Sequence, residues 1–380
     1  LSEFMPGKDV DLAVIGAGLS GCALVAALRT RGWAGTIQLL EAGRGPGGRC
    51  ATRRRRDDPL WRLDHGSPTL SFQSEPQGQL RELIRSLEQR GVIRVDDDAV
   101  VGLDHHGAAV EPPDHPLLRG PRWRGLPTMA TVAETLLSDG SEGVDVCFGE
   151  RIQTLSREDE SWVLPGGVRA GTLVLSGTLL AHPRSLAMLG RSDVPLRDAV
   201  PEHQDPVLDQ ALAWIADLNA SVRWNLMLDC SAVDLDPLPR QIWLTAQAQQ
   251  QFGVERVVLQ VQQQDRLGLV IHGLDDGALI TPETQPQLLK AQEQRLLAVL
   301  PELLGPWPSL RRMLSSARSL GVMRWGAAQP LDQGMPQELQ WCSQSGVGFC
   351  GDWIAGSGFG MAEGALQSGL DLAELMVAAP

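Results

Sequence analysis

The chain has 380 residues, 43% apolar and 21% charged, the balance of an ordinary globular protein with room for two domains. Its net charge of −13 sets the whole-molecule field against nucleic acid and anionic membranes. It has no tyrosine, eleven tryptophans and two lysines, Lys8 and Lys290, which excludes tyrosine-based catalytic devices and leaves little scope for lysine chemistry.

Leu1–Phe4, ahead of Met5, reads as a cloning remnant. The apolar stretch from Val10 to Leu28 carries Asp11 and three spaced glycines, the wrong pattern for a signal peptide. No run approaches the ~20 apolar residues of a membrane span. The six cysteines are scattered with no CxxC spacing, so reduced thiols and a cytoplasmic location are expected. His105, His106 and His115 sit in a Pro- and Gly-rich loop without an acid or cysteine at ligand spacing, so no metal is expected.

The first element is a short apolar run, Val10 to Ile15, that suits a buried parallel strand. Gly16, Gly18 and Gly21 then form GxGxxG, and the Ala- and Leu-rich segment Cys22 to Arg31 predicts a helix that Gly32 ends. Thr36 to Leu40 is a second apolar strand, closed by Glu41. In a dinucleotide site each of these has a task. Gly16 makes the tight turn, Gly18 lets a pyrophosphate approach the backbone, and Gly21 allows close helix–strand packing. The helix N-terminus, with Leu19 and Ser20 in its first turn, presents free N–H groups and about half a positive charge to the anion. Glu41, followed by Ala42, can accept hydrogen bonds from ribose hydroxyls and repels a 2′-phosphate. The βαβ context is what lifts a lone GxGxxG above a chance turn.

The next segment, GRGPGGRCAT, holds Arg44, Gly47, Gly48, Arg49 and Thr52. It resembles the R-x-x-G-G-R-x-x-[ST] pattern that follows the first βαβ unit in the FAD-dependent amine oxidase superfamily. The physics agrees: paired glycines let the backbone come close to a phosphate or ribityl chain, and an arginine offsets phosphate charge. At the far end, GVGFCGDWIAGSGFGMAEGALQSG resembles the superfamily's closing motif, with Gly351, Asp352, Glu363, Gly364, Ala365, Ser368 and Gly369 in place. The resemblance implies non-covalently bound FAD, with Asp352 at the ribityl–phosphate region. A helix N-terminus at Gly360, Met361 and Ala362 would then face the pyrimidine edge, where its dipole stabilises the charge of reduced flavin.

Two further segments resemble the renalase-like branch. LDHGSPTLSF carries Asp64, His65 and Gly66, and VMRWGAAQP carries Arg324, Trp325, Ala328 and Pro330. Where that branch often has histidine and tyrosine, this chain has Met323 and Ala327. The resemblance touches about the first 75 and last 60 residues. It implies an α/β fold: a Rossmann-like FAD-binding domain with a mixed-sheet substrate domain, discontinuous in sequence. Residues 5–75, 126–181 and 335–380 are expected in the FAD-binding domain, and 76–125 and 182–334 in the substrate domain. Strands are expected at Gly143–Phe148, with Val146 near the adenine, and at Gly171–Gly177.

His65 either faces the flavin as donor or proton acceptor or braces a turn. Arg324 and Trp325 either wall a substrate site or form a core tryptophan with a snorkelling arginine. Trp353 either lies near the flavin or only packs. Arg53–Arg56 is expected to be a solvated face, so that Arg49 matters for flavin retention and Arg55 does not. The resulting expectation is an FAD-dependent oxidoreductase. It would take a hydride from a small, planar or anionic organic substrate and pass electrons to dioxygen or another acceptor. The alternatives are an isoprenoid-type desaturase and a non-catalytic flavin-binding redox sensor. Neither nucleic acid nor integral membrane association is expected.

Overall fold

The computed structural model describes residues 9–58, 60–231 and 238–378. Leu1–Phe4, Met5 and Lys8 lie outside them. Two large sheets carry the architecture.

The first sheet has eight strands. Its parallel heart is Val144–Phe148, Ile37–Glu41, Asp9–Ile15 and Val168–Leu175, in that spatial order. Val347–Phe349 joins the far end of Val168–Leu175, also in parallel, and the hairpin Ser156–Glu158 and Ser161–Leu164 pairs with its near end. These strands are apolar runs because helices cover one face and a second apolar layer the other. On one face pack the helices Leu19–Thr30, Ala130–Asp139 and Ala362–Ala378. The first and last of these approach closely at Gly369, where a Cβ would stand 2.5 Å from the Ser20 carbonyl oxygen and 3.0 Å from the Leu24 nitrogen. Any side chain there forces the two helices apart. On the other face Trp162, Phe349 and Leu208 form a second apolar layer.

The second sheet has seven strands in the order Arg318–Pro330, Ala220–Ser231, Arg266–Leu274, Val254–Gln262, Gln241–Leu244, Val100–Leu103 and Ala109–Val110. Strand alternation divides its residues. Trp224, Leu226, Leu228, Leu269 and Ile271 face the helix Gln285–Leu303 and build one core. The opposite face buries Met227, Val258 and Val270 against Trp61 and Leu63, and farther along it borders a cavity.

Two segments sit elsewhere than expected. The helices Pro195–Ala199 and Pro206–Asp217, at the start of 182–334, pack in the apolar layer on the first sheet's other face. The helix Gly78–Gln89 places Leu80, Ile84 and Leu87 on one stripe and buries it in the core of the first sheet's helical layer. Ile93–Val95 and Arg122–Gly125 pair in a small sheet with Leu70–Ser71. From 76–125, only Val100–Leu103 and Ala109–Val110 join the second sheet.

Candidate functional site

A cleft of about 420 Å³ runs between the two sheets. One end is the turn after the first strand. Gly16 has φ +105° and its missing Cβ would meet Ser176 Oγ at 2.4 Å, while Ser176 Oγ donates to the Gly16 carbonyl at 2.7 Å. The helix Leu19–Thr30 starts at Gly18 with no side-chain cap. Its first N–H groups, at Leu19, Ser20 and Gly21, find no acceptor among the described residues, and Gly18, Leu19 and Ser20 line the cleft. Uncapped N–H groups on a cavity wall suit an anion. Glu41 is fixed beside them: Ala17 N donates to one carboxylate oxygen at 2.8 Å and Gly43 N to the other at 2.5 Å. A carboxylate has about four acceptor positions, so two remain for hydroxyl groups.

The paired-glycine loop closes over this turn. Gly47 N donates to the Ala17 carbonyl at 2.7 Å, and Gly47 bridges to Gly18 in parallel fashion. Arg49 leaves the loop with its fork on Asp352, at 2.6 and 2.5 Å, and a third bond to the Ala328 carbonyl at 2.9 Å. The guanidinium is therefore committed to protein partners, and its protonated form is favoured by Asp352 against the opposing effect of burial. Arg184, which sequence reading missed, reaches the same wall.

The closing motif is structural as well as site-forming. The Glu363 carboxylate accepts from Gln73 N and Ser357 Oγ, both at 2.6 Å. Ser368 Oγ accepts from Gly351 N at 2.8 Å. This framework sets Gly360, Met361, Ala362 and Ala365 on the cleft.

The other end is the face of the second sheet. Trp325 and then Ala327–Pro330 reach the cleft from Arg318–Pro330. Arg223, paired directly with Trp325, and Asn225, paired with His272, join them. A register shift between Val254 and Arg256 breaks the alternation, so the consecutive Glu255 and Arg256 both reach the cleft. Sequence reading missed this row. Its signal was present: one or two polar residues inside each of the apolar runs VRWNLML, VERVVL and LVIHGL.

Of the residues expected at the site, Gly16, Gly18, Leu19, Ser20, Glu41, Ala42, Gly47, Gly48, Arg49, Gly66, Trp325, Asp352, Trp353, Gly360, Met361 and Ala362 line this one cleft. The others do not. Arg324 is opposite Trp224 in register and holds its guanidinium carbon 5.4 Å from that ring, on the helix-covered face. Neighbours on a strand face opposite ways, so Arg324 and Trp325 cannot form one wall. Arg44 is exposed and turned away. Val146 packs against the first sheet's helical core, and the residues that reach the cleft from its segment are Glu150–Ile152. Gly351 lies behind Trp353.

Asp64 and His65 are seam residues rather than cleft residues. Asp64 accepts from Thr52 Oγ1 at 2.6 Å and Met129 N at 3.1 Å, and its backbone makes a reciprocal pair with the Gln260 amide at 2.9 and 2.8 Å. Burial pushes its carboxyl up to about 6. The His65 ring stacks on Trp325 at 5.6 Å, and its carbonyl accepts from Asn225 Nδ2 at 2.8 Å and Trp325 Nε1 at 3.3 Å. Burial, helped by Arg53, lowers the imidazole to about 4. It is neutral at pH 7 and too weak a base to take a proton readily.

These two shifts make a signed prediction. Asp64, raised above its ordinary 3.8, favours the fold at low pH and loses that effect as pH climbs through about 6. His65, lowered from 6.5, favours the fold above that value and loses the effect as pH falls through about 4. Each is worth about 3 kcal/mol and the two oppose between those limits. Thermal melts across this window should rise with pH more steeply than wild type in Asp64→Asn and less steeply in His65→Gln. Parallel curves for all three proteins would refute the assignment.

The family model of the NAD(P)-binding Rossmann-like domain matches residues 14–87. Among solved structures, the chain is similar to a putrescine oxidase triple mutant from a structure-based redesign of cofactor binding. The two share 15% identity and a TM-score of 0.62 over 98% of this chain and 100% of that one. It is similar to cyclohexylamine oxidase from Brevibacterium oxydans, at 14% identity and a TM-score of 0.62 over 97% and 99%. An oxidoreductase from Methanosarcina mazei matches at 13% identity and a TM-score of 0.60 over 97% and 100%. No curated protein matches the sequence. At these identities the likeness is one of fold: a Rossmann-like domain joined to a large mixed sheet, as in two-domain flavoprotein oxidases. No helix among the described residues is long and apolar enough to cross a membrane.

Proposed function

We propose that the protein is an FAD-dependent oxidoreductase taking a hydride from a small organic substrate, with dioxygen or another acceptor completing the cycle. The observation that carries this reading is the two-ended cleft. An uncapped helix N-terminus and Glu41 stand at one end, and a row of polar side chains on a sheet stands at the other. The residues fit the cofactor. The N–H groups of Leu19, Ser20 and Gly21 would take the pyrophosphate and Glu41 a ribose. Gly48, Gly66 and Ser67 would allow close backbone approach, and Met361 and Ala362 would present a helix N-terminus to the ring. Bound there, FAD supplies the hydride acceptor, at N5 of its ring. Trp325 then offers a flat wall on which a planar substrate can stack.

The finer reading is the renalase-like branch of the amine oxidase superfamily, in the cytoplasm. It is supported by the His65–Ser67 loop and Trp325 lying against each other at the cleft. A desaturase reading calls for a long apolar tunnel, and Arg223, Glu255, Arg256 and His272 on the wall argue against it.

The test is anaerobic mixing of the purified protein with dihydronicotinamides and, separately, with primary amines. Near-stoichiometric bleaching of a flavin band by the dihydronicotinamides is the expected result. Bleaching only by amines removes the renalase-like reading. A purified protein that neither carries nor takes up FAD removes the whole proposal, and a flavoprotein bleached by no donor favours the redox sensor.

A further inference from the structure

The row on the second sheet contains more buried, unpartnered polarity than a sheet face needs for folding. Asn225 is 1% exposed, His272 3%, Glu255 6% and Arg256 7%. Among their atoms, Asn225 Oδ1, His272 Nε2 and Arg256 Nε have no hydrogen-bond partner among the described residues. Buried polar atoms left unpaired cost about 1–3 kcal/mol each, so three in one row on a cavity wall indicate a missing ligand.

The charge of the row identifies the ligand's sign. Two guanidinium groups, Arg223 and Arg256, share one carboxylate. Arg223 Nη2 bonds one Glu255 oxygen, and Arg256 Nε stands 3.9 Å from the other. Burial pushes the Glu255 carboxyl up, and Arg256 and Arg223 more than offset this, so Glu255 stays ionised. His272 is held neutral by burial and by the same two arginines. The row therefore carries one uncompensated positive charge. The remaining acids on the cleft lie elsewhere: Glu41 is bonded to Ala17 and Gly43, Asp352 to Arg49, and Glu150 follows the strand Val144–Phe148. No carboxylate is left at the sheet end to receive an ammonium group.

We propose that Arg223, Arg256 and His272 form a subsite for the carboxylate of a planar organic anion, with Asn225 Oδ1 free to accept from an N–H or O–H elsewhere on the ligand and Trp325 beside it as the stacking wall. An arginine fork matches a carboxylate in shape and charge. His272, neutral, can donate from Nε2 to the same carboxylate. A cationic amine meets net positive charge there, and the one unpaired acceptor in the row is the neutral Asn225 oxygen rather than a carboxylate. What the anion does once bound rests on the oxidoreductase reading; that it binds does not.

Calorimetric titration of the purified protein with benzoate, benzylamine and benzyl alcohol tests this, and flavin content is measured separately by absorbance. Benzoate should bind at least about tenfold more tightly than either of the others, a difference of about 1.4 kcal/mol. Arg256→Met should weaken benzoate about tenfold or more. Glu255→Gln, which removes the internal competitor yet can still hydrogen-bond, should strengthen benzoate severalfold. This opposite response is one that a purely structural role for the cluster would not produce. Equal or tighter binding of benzylamine overturns the proposal, as does a Glu255→Gln protein that folds, by its melting curve, and binds benzoate no better than wild type. A protein that binds benzoate in this pattern but holds no flavin would sink the proposed function and leave the anion subsite standing.

Discussion

Arg49→Ala should yield a protein that loses its flavin on purification and is less stable by about 3 kcal/mol, because it strands a buried carboxylate. Asp352 is buried, and Arg49 is its bidentate partner. Without Arg49 an unpaired negative charge faces the cleft close to where a diphosphate is expected to lie, so flavin affinity should fall about a hundredfold. Equilibrium unfolding and flavin absorbance after gel filtration measure the two effects. Arg49→Ala combined with Asp352→Asn should recover most of the stability, since removing both charges costs less than removing one. An Arg49→Ala protein that keeps full flavin would show that the pair has no part in cofactor binding.

The second large effect lies outside the cleft. Asp229→Ala should destabilise the protein by about 3–5 kcal/mol, the usual result of breaking a buried ionic cluster. Asp229 is fully buried. It accepts from Arg55 at 2.6 Å, from Arg266 Nε at 2.8 Å and from the Trp61 indole at 3.2 Å, with a further close contact to Arg266 Nη2. Flavin content of the folded fraction should be unchanged, because none of these groups lines the cleft. The same cluster corrects the reading of Arg53–Arg56 as a solvated face. Arg54 and Arg56 are exposed, but Arg55 is largely buried, lies 5.9 Å from the Trp61 ring, and also pairs with the exposed Asp57. Arg55→Ala is therefore not silent. It should lower the melting temperature while leaving flavin retention intact, and melting curves beside absorbance spectra separate the two.

What was legible in the sequence follows a physical pattern. The nucleotide end is built from consecutive residues whose spacing is dictated by a strand, a turn and a helix, so GxGxxG, Glu41 and the paired glycines were readable as local chemistry. The closing motif was readable for the same reason, and in it Glu363 and Ser368 brace the loop. The sheet end was not readable. Arg223, Asn225, Glu255, Arg256 and His272 come from three strands and meet only through cross-strand register, which no single segment encodes. The bulge that lets both Glu255 and Arg256 face inward also defeats simple alternation. Arg324 shows the converse error: adjacency in sequence was read as adjacency in a wall, where the strand period separates it from Trp325. Arg55 was hidden because a run of like charges does not reveal that one member finds a buried acid 174 positions away.

The loop from Asp64 to Ser67 has a mechanical consequence. It belongs to neither sheet, yet the backbone of Asp64 is latched to Gln260, the carbonyl of His65 to Asn225 and Trp325, and the nitrogen of Ser67 to the Arg49 carbonyl at 2.7 Å. The strap thus ties the two halves together along the cleft wall. Asn225 anchors it with the amide nitrogen while its unpaired oxygen stands at the sheet end of the cleft, so one side chain serves both the strap and the cavity wall. The wall at Gly66 and Ser67 is therefore positioned from both sheets at once, so one four-residue segment is the shared boundary of the two ends of the cleft.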